Sequence, residues 1–324
     1  MAFRLKLVPD QTNIDFFRAQ TFTFGLSTVL AIASVICLFF YGLNFGIDFR
    51  GGTTIRTEST QSVDVGAYRD ALTPLNLGDV AITQVYDPTF REDQHVAQVR
   101  ISAQEGTESV TPETINAVEA ALQQVDPSIT FPSVESVGPK VSGELIKTAI
   151  YAVLASLAAI SIYIWLRFEW QFAVGAFVSL LHDVLITLGV FSLFQLKFDL
   201  TTIAALLTIL GYSINDPVVV FDRLRENLMK YKTRPLRDLM NLSVNETLSR
   251  TVMTSGTTLV ALIALLALGG DVIRGFVFAI TFGIIIGTYS SVYVAKNVVL
   301  WLGVKRDWSK PDPNAVPERF REGV

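Results

Sequence analysis

Cysteine and histidine are nearly missing from this 324-residue sequence, which has one Cys and two His. A single cysteine, Cys37, inside an apolar run excludes an internal disulfide framework and leaves the redox compartment open. One Cys and two unrelated His cannot form a zinc-ligand cluster, and no cofactor is implied. Charge is also scarce, at 17% of residues against 50% hydrophobic. That balance excludes an ordinary soluble globular chain. The net charge of −4 identifies no partner, and nothing in it points to nucleic acid. Glycines 51 and 52 do not make a P-loop, because the lysine and the strand–loop–helix order are missing. They fit a turn that guides a helix into a first strand.

What is present is a series of long apolar runs. The pattern predicts a polytopic α-helical membrane protein with six transmembrane helices. They are expected at 21–43, 148–166, 171–194, 200–221, 247–268 and 272–295. The small-residue step around Ala31 and Ala33 resembles a signal-peptide cleavage site, but apolar sequence continues beyond it, so the first helix is expected to stay uncleaved. Residues 1–20 read as a polar N-terminus and 222–246 as a basic connector. The connector suits an inside-positive anchor, with anionic lipid, a ribosome or a channel partner left open as its contact. Residues 296–324 read as a polar, proline-bearing tail.

Residues 44–147 differ in kind. Asp and Glu outnumber Lys and Arg there by 15 to 7. Strands are expected at 52–59, 79–86, 95–101 and 129–137, and helices at 63–72 and 111–125. Ala97, Val99 and Ile101 alternate with polar residues, the period of a half-buried strand. Thr111 suits a cap and Pro112 a first turn. The order βαββαβ predicts a ferredoxin-like α+β domain between the first two spans. His95 reads as an exposed or edge residue. Arg4, Lys6, Arg18, Arg167, the connector and the residues from Lys296 onward place positive charge on one side. Both termini are therefore expected in the cytoplasm, with the α+β domain on the periplasmic side of a bacterial inner membrane.

Inside the spans, polar groups cluster. Residues 200–221 form an apolar run that carries Asn215, Asp216 and Pro217. A carboxylate there is costly without a partner or water, and a proline frees a backbone carbonyl one turn back. At 1.5 Å per residue, Asp216 lies roughly 10 Å from the cytoplasmic end and Asp183 roughly 18 Å. Arg250, Asp216, Asp183 and His182 could line up as one ladder supported by Asn215, Thr254 and Ser255. Such a ladder suits a proton relay, or else a static ion pair that fixes helix packing. Gly283 and Gly287 have a small-xxx-small spacing for close helix approach, within the chain or to a partner.

These residues fall in recognisable motifs. They are residues 45–53 (FGIDFRGGT), 137–145 (VGPKVSGEL), 180–184 (LLHDV), 211–223 (GYSINDPVVVFDR) and 250–258 (RTVMTSGTT). Together they resemble the SecD/SecF family of bacterial protein-export membrane subunits, on the SecF side. The resemblance implies pairing with SecD into a twelve-span unit of the resistance-nodulation-division type. It also implies association with the SecYEG channel and, in some bacteria, YajC and YidC. It further implies use of the proton-motive force to help draw a translocating polypeptide across, with proton coupling at Asp216 and Arg250. No enzyme activity is implied. Other readings are a proton-driven exporter of small molecules or lipids, a structural scaffold, and an aspartyl protease using Asp183 and Asp216. The last is disfavoured because the two carboxylates lie more than a helical turn apart in depth.

Overall fold

The structure is a computed structural model that describes residues 9, 12–87, 90–102 and 110–304. The other residues at either end, with Arg4, Lys6 and the segment 305–324 of the expected cytoplasmic face, lie outside the described residues. Among the described residues, six helices are long and apolar enough to cross a membrane.

Helix α1 (Gln20–Phe40) leads into a two-residue strand β1 (Asn44–Phe45) and a short helix α2 (Ile47–Arg50). Gly51 (φ 72°) and Gly52 (φ 118°) then turn the chain into β2 (Gly52–Ser59). Both sit in backbone territory that a side chain would strain, which accounts for the paired glycines. The domain continues with α3 (Val65–Leu72), β3 (Val80–Val85), β4 (His95–Ser102), α4 (Pro112–Val125) and β5 (Thr130–Val137). Asp64 caps α3 by accepting from Gly66 N at 2.9 Å, and Thr111 caps α4 by accepting from Thr114 N.

The sheet order is β3-β4-β2-β5, antiparallel throughout, which is the split ferredoxin-like arrangement. Ile55, Ala97, Val99 and Ile101 are fully buried against Val118 and Leu122 of α4 and against Tyr68 and Leu72 of α3. His95 opens β4, an inner strand, and is half-buried; the edge position expected for it belongs to β3 and β5.

After β5 come α5 (Pro139–Arg167), α6 (Trp170–Leu193), the two-residue strand β6 (Lys197–Phe198) and α7 (Leu200–Ser213). Ile214 interrupts the fourth span before α8 (Asn215–Lys230). Pro217 has no amide hydrogen to return to Ser213 one turn back, so the break falls where proline requires it. Helix α9 (Leu236–Leu268) runs unbroken from the connector into the fifth span. Most of the connector is thus helical, an extension of α8 and α9. The sixth span is α10 (Asp271–Ser290), a π-helical turn (Ser291–Ala295) and α11 (Lys296–Leu302).

The α+β domain is tied to one end of the bundle. Strands β1 and β6 pair in parallel, Asn44 with Lys197 and Phe45 with Phe198. Arg274 at the start of the sixth span donates to the Tyr86 carbonyl at 3.1 Å, just after β3. At the opposite end, residues 12–17 lie along α9. The Asn245 side chain accepts from Ile14 N and donates to Ile14 O, both at 2.8 Å, while Asn241 accepts from Phe16 N at 3.0 Å. Lys296, expected at the head of a solvated tail, is instead fully buried. Its Nζ donates to Phe16 O at 3.1 Å and lies over the Phe16, Phe17 and Tyr293 rings.

One buried carboxylate fastens the α+β domain. Asp126, 5% exposed, accepts from the Ser59 hydroxyl and from Ser128 N and Oγ, each of the latter at 2.8 Å. Burial pushes its carboxyl up, but these hydrogen bonds outweigh it and hold the group below the ordinary carboxylate range. Its folded value lies below the unfolded one of about 3.9, so its stabilisation is complete above that pH and fades as pH falls through the lowered folded value. Asp126→Ala is expected to destabilise the domain by about 1–3 kcal/mol at neutral pH. Amide exchange of α4 and β5 in the full chain reads this, and the gap from the unaltered protein should close in acid.

Candidate ion-coupling site

The break at Ile214 decides where Asp216 sits. Asp216 enters the first turn of α8, beside the helix's free amide donors, where the helix dipole favours an anion. It is 8% exposed, and its Oδ1 accepts from the Thr251 hydroxyl of α9 at 3.2 Å. It lines a cavity of about 300 Å³ together with Tyr212, Asn215, Val219, Arg250 and Thr254. Thr251 carries no distinguishing signal in the sequence. A threonine in an apolar helix usually bonds its own backbone, as Thr254 and Thr257 do here with Arg250 O and Met253 O.

Arg250 is exposed and faces the same cavity, but among the described residues it makes no ion pair with Asp216. It also lines a second cavity of about 550 Å³, with Tyr163, Arg167, Asp222, Arg223 and Glu246. The two cavities share Val219 and Arg250, so the guanidinium stands between them. The outer cavity carries ion pairs: Arg167 with Asp222 at 3.4 Å and Arg223 with Glu246 at 2.7 Å. Asn227 adds a bond to Glu246 at 2.7 Å. Arg223, one of the connector's basic residues, is therefore paired within the chain.

His182 and Asp183 form a separate cluster. Asp183 is fully buried; its Oδ1 contacts His182 Nδ1 at 3.0 Å, and its Oδ2 accepts from Ser290 Oγ at 2.9 Å. Ser290 also meets Ser179 at 2.8 Å. His182 Nε2 is buried without a hydrogen-bond partner among the described residues. The imidazole stacks on Tyr289, whose hydroxyl donates to Thr23 O at 2.6 Å. Ser290 closes α10 immediately before the π-helical turn, a distortion that often accompanies function. No hydrogen bond among the described residues joins this cluster to Asp216. Ser255, expected as a rung of the ladder, bonds Thr288 instead at 2.9 Å, and Asn215 is exposed on the cavity wall.

Comparison with known proteins follows the motif residues closely. A family model described as "Protein export membrane protein SecD/SecF, C-terminal" matches residues 117–305, and one for the "SecD/SecF GG Motif" matches residues 38–63. The chain belongs to the SecD/SecF family. Relatives named protein translocase subunit SecF sit on the same side of that family. That of Cereibacter sphaeroides is 72% identical and aligns over 97% of both chains. That of Rhodobacter capsulatus is 66% identical over 97% of this chain and 96% of its own. That of Rickettsia akari is 40% identical over 92% of this chain and 94% of its own.

Among solved structures, SecDF from Thermus, described as a translocon-associated membrane protein, superposes with a TM-score of 0.81 at 38% identity. A SecDF structure in a "super-membrane-facing form" gives 0.66 at 39% identity. This chain is 91% covered in both cases but spans only 39% of the length of either SecDF chain. The GG Motif of the family contains the two positive-φ glycines at the head of β2, and the longer match takes in all of α5 to α11.

Close helix packing supports both polar clusters. Gly283 and Gly287 of α10 lie against α7: a methyl at Gly283 would come within 2.4 Å of Ile209, and one at Gly287 within 2.1 Å of Ser213 Oγ and 3.4 Å of Asp183 Oδ2. The small-xxx-small pair thus serves contact within the chain. Gly287→Ala is expected to destabilise the bundle by about 1–3 kcal/mol. Gly211→Ala, with nothing within 4 Å, is the control. Thermal midpoints of the two variants in detergent check the contrast.

Proposed function

We propose that this chain is a SecF-type subunit of the Sec protein-export machinery that couples proton flow to late steps of polypeptide translocation, with Asp216 as the proton-coupling carboxylate and Arg250 as its movable counter-charge. The carrying observation is the placement of Asp216 at a helix break, bonded to Thr251 and open to a cavity whose wall also holds the Arg250 guanidinium, which makes no ion pair with it among the described residues. A buried carboxylate with one hydroxyl donor can take up and release a proton as its surroundings alternate. An arginine within reach of that cavity favours the ionised state when it approaches and the protonated state when it withdraws. The outer, ion-lined cavity supplies water and charge up to Arg250 from the positive-rich end. His182 and Asp183 are positioned as a supporting relay or as a polar lock for the sixth span.

A SecD partner follows from the same geometry. Asn215, Arg250, Thr254 and Thr257 are exposed along α8 and α9. A charged side chain facing lipid is costly unless it finds a partner, water or the interface. That face therefore calls for a second membrane-embedded subunit, and the longer SecDF chains, whose name joins both subunits, supply the precedent. SecYEG, with YajC and YidC, and the translocating polypeptide are the remaining partners. The charge pattern orients both termini to the cytoplasm of the inner membrane and the α+β domain to the periplasm. An aspartyl-protease site is disfavoured, since Asp183 and Asp216 have different hydrogen-bond partners.

Asp216→Asn is expected to leave the chain's level and its co-purification with SecD unchanged while removing the force-dependent part of export into vesicles. The measurement compares a secreted precursor with the proton-motive force imposed and collapsed. Export that keeps its full dependence on the force would make the polar cluster structural.

A further inference from the structure

The residue before Phe49 in the glycine-paired motif is tied to the span that carries Asp216. Asp48 Oδ2 accepts from Leu200 N, the first amide of α7, at 3.0 Å across 152 residues of sequence. Asp199, the N-cap, accepts from Thr202 N at 3.0 Å in a capping box. Around this pair the two segments are fastened throughout. Gly46 N donates to Phe198 O at 2.8 Å, and Asn44 Nδ2 to Gln195 O at 2.9 Å. The Phe45, Phe49 and Phe198 rings meet with centroids 5.7–5.9 Å apart. Asp48 is half-buried in this joint.

The joint has a direction. On one side, Gly51 leads straight into β2, an inner strand of the α+β sheet. On the other, α7 runs uninterrupted from Leu200 to Ser213, and Asp216 follows the break. Asp48 and Asp216 are thus at opposite ends of one rod, roughly 24 Å apart at 1.5 Å per residue. With Leu200 N and Thr202 N capped at one end and the break at the other, α7 is set off as a distinct segment between Asp48 and Asp216.

We propose that Asp48 is a positioning residue for export: its cap holds the α7 rod to the base of the α+β domain, so that rearrangement at Asp216 is delivered to that domain. This rests on the coupling role proposed for Asp216. An N-cap accepts a hydrogen bond through a side-chain oxygen, so asparagine should replace aspartate here and alanine should not.

The test uses Asp48→Ala, Asp48→Asn and Asp216→Asn in inner-membrane vesicles carrying the assembled complex. Proton uptake and force-dependent export are followed in the same sample, with chain level and SecD co-purification as controls. Asp48→Ala is expected to keep level, assembly and proton uptake while force-dependent export falls about fivefold, the loss of one cap. Asp48→Asn is expected to restore it. A spin-label pair at Asn116→Cys and Leu268→Cys, in a Cys37→Ser background, reads the coupling directly. Its distance distribution should respond to the imposed force in the parent and in Asp48→Asn, but not in Asp48→Ala.

Full force-dependent export by Asp48→Ala overturns the proposal. So does joint loss of assembly or proton uptake with export, which would make the cap a fold element alone, and so does failure of Asp48→Asn to restore export. Unchanged proton uptake in Asp216→Asn would instead remove the coupling role of Asp216 while leaving the Asp48 comparison to be read on its own.

Discussion

The interruption of the fourth span at Ile214 is the constraint on which the rest of the site depends. A continuous helix would bury Asp216 mid-span with its backbone donors already used. Breaking the helix gives the carboxylate a first-turn position, the favourable end of a dipole and a facing hydroxyl from Thr251. Before the break, α7 packs on α10 through two glycines. The cavity beside Asp216 is lined by residues of α7, α8 and α9, with Arg250 as the long side chain on its wall.

The two polar clusters divide the work of an apolar bundle. Asp183, His182, Ser179 and Ser290 are enclosed and mutually bonded, and they pin the third span to the sixth. Tyr289 extends that pin to the first span through Thr23 and Ser27. Asp216 and Arg250 are instead held loosely, one by a single hydroxyl and the other by no ion pair among the described residues. Rigid polar packing thus sits next to a site with unspent hydrogen-bonding capacity. That contrast separates a lock from a switch, because several mutual hydrogen bonds resist rearrangement more than a single one does.

Much of this was legible in the residues, for definable reasons. Six apolar runs of span length report themselves, and Ala97, Val99 and Ile101 declare a strand whose inward face is fully buried. Thr111 and Pro112 mark the start of α4 by their chemistry. Depth in the membrane could be counted along the chain, and it placed Asp183 deeper than Asp216. Azimuth could not be counted, and Asp183 and Asp216 take different hydrogen-bond partners, Ser290 and Thr251. Strands β1 and β6 were invisible because two residues carry no periodicity and their partners lie about 150 positions apart. Lys296 read as a flank because a lysine closing an apolar run normally is one. Its burial depends on aromatic rings supplied by residues 16 and 17, far away in sequence.

That last contact bears on the order in which the protein is made. Residues 12–17 emerge before any span, yet their seat is built from α9 and from Lys296 beyond α10. Until the sixth helix has been inserted, the Phe16 carbonyl has no ammonium to meet and the ring pair has no charge to enclose. The earliest segment must therefore wait, and its docking marks completion of the bundle. A truncated or stalled chain would leave Phe16 and Phe17 uncovered, an apolar flag by which quality control could tell an unfinished subunit from a finished one.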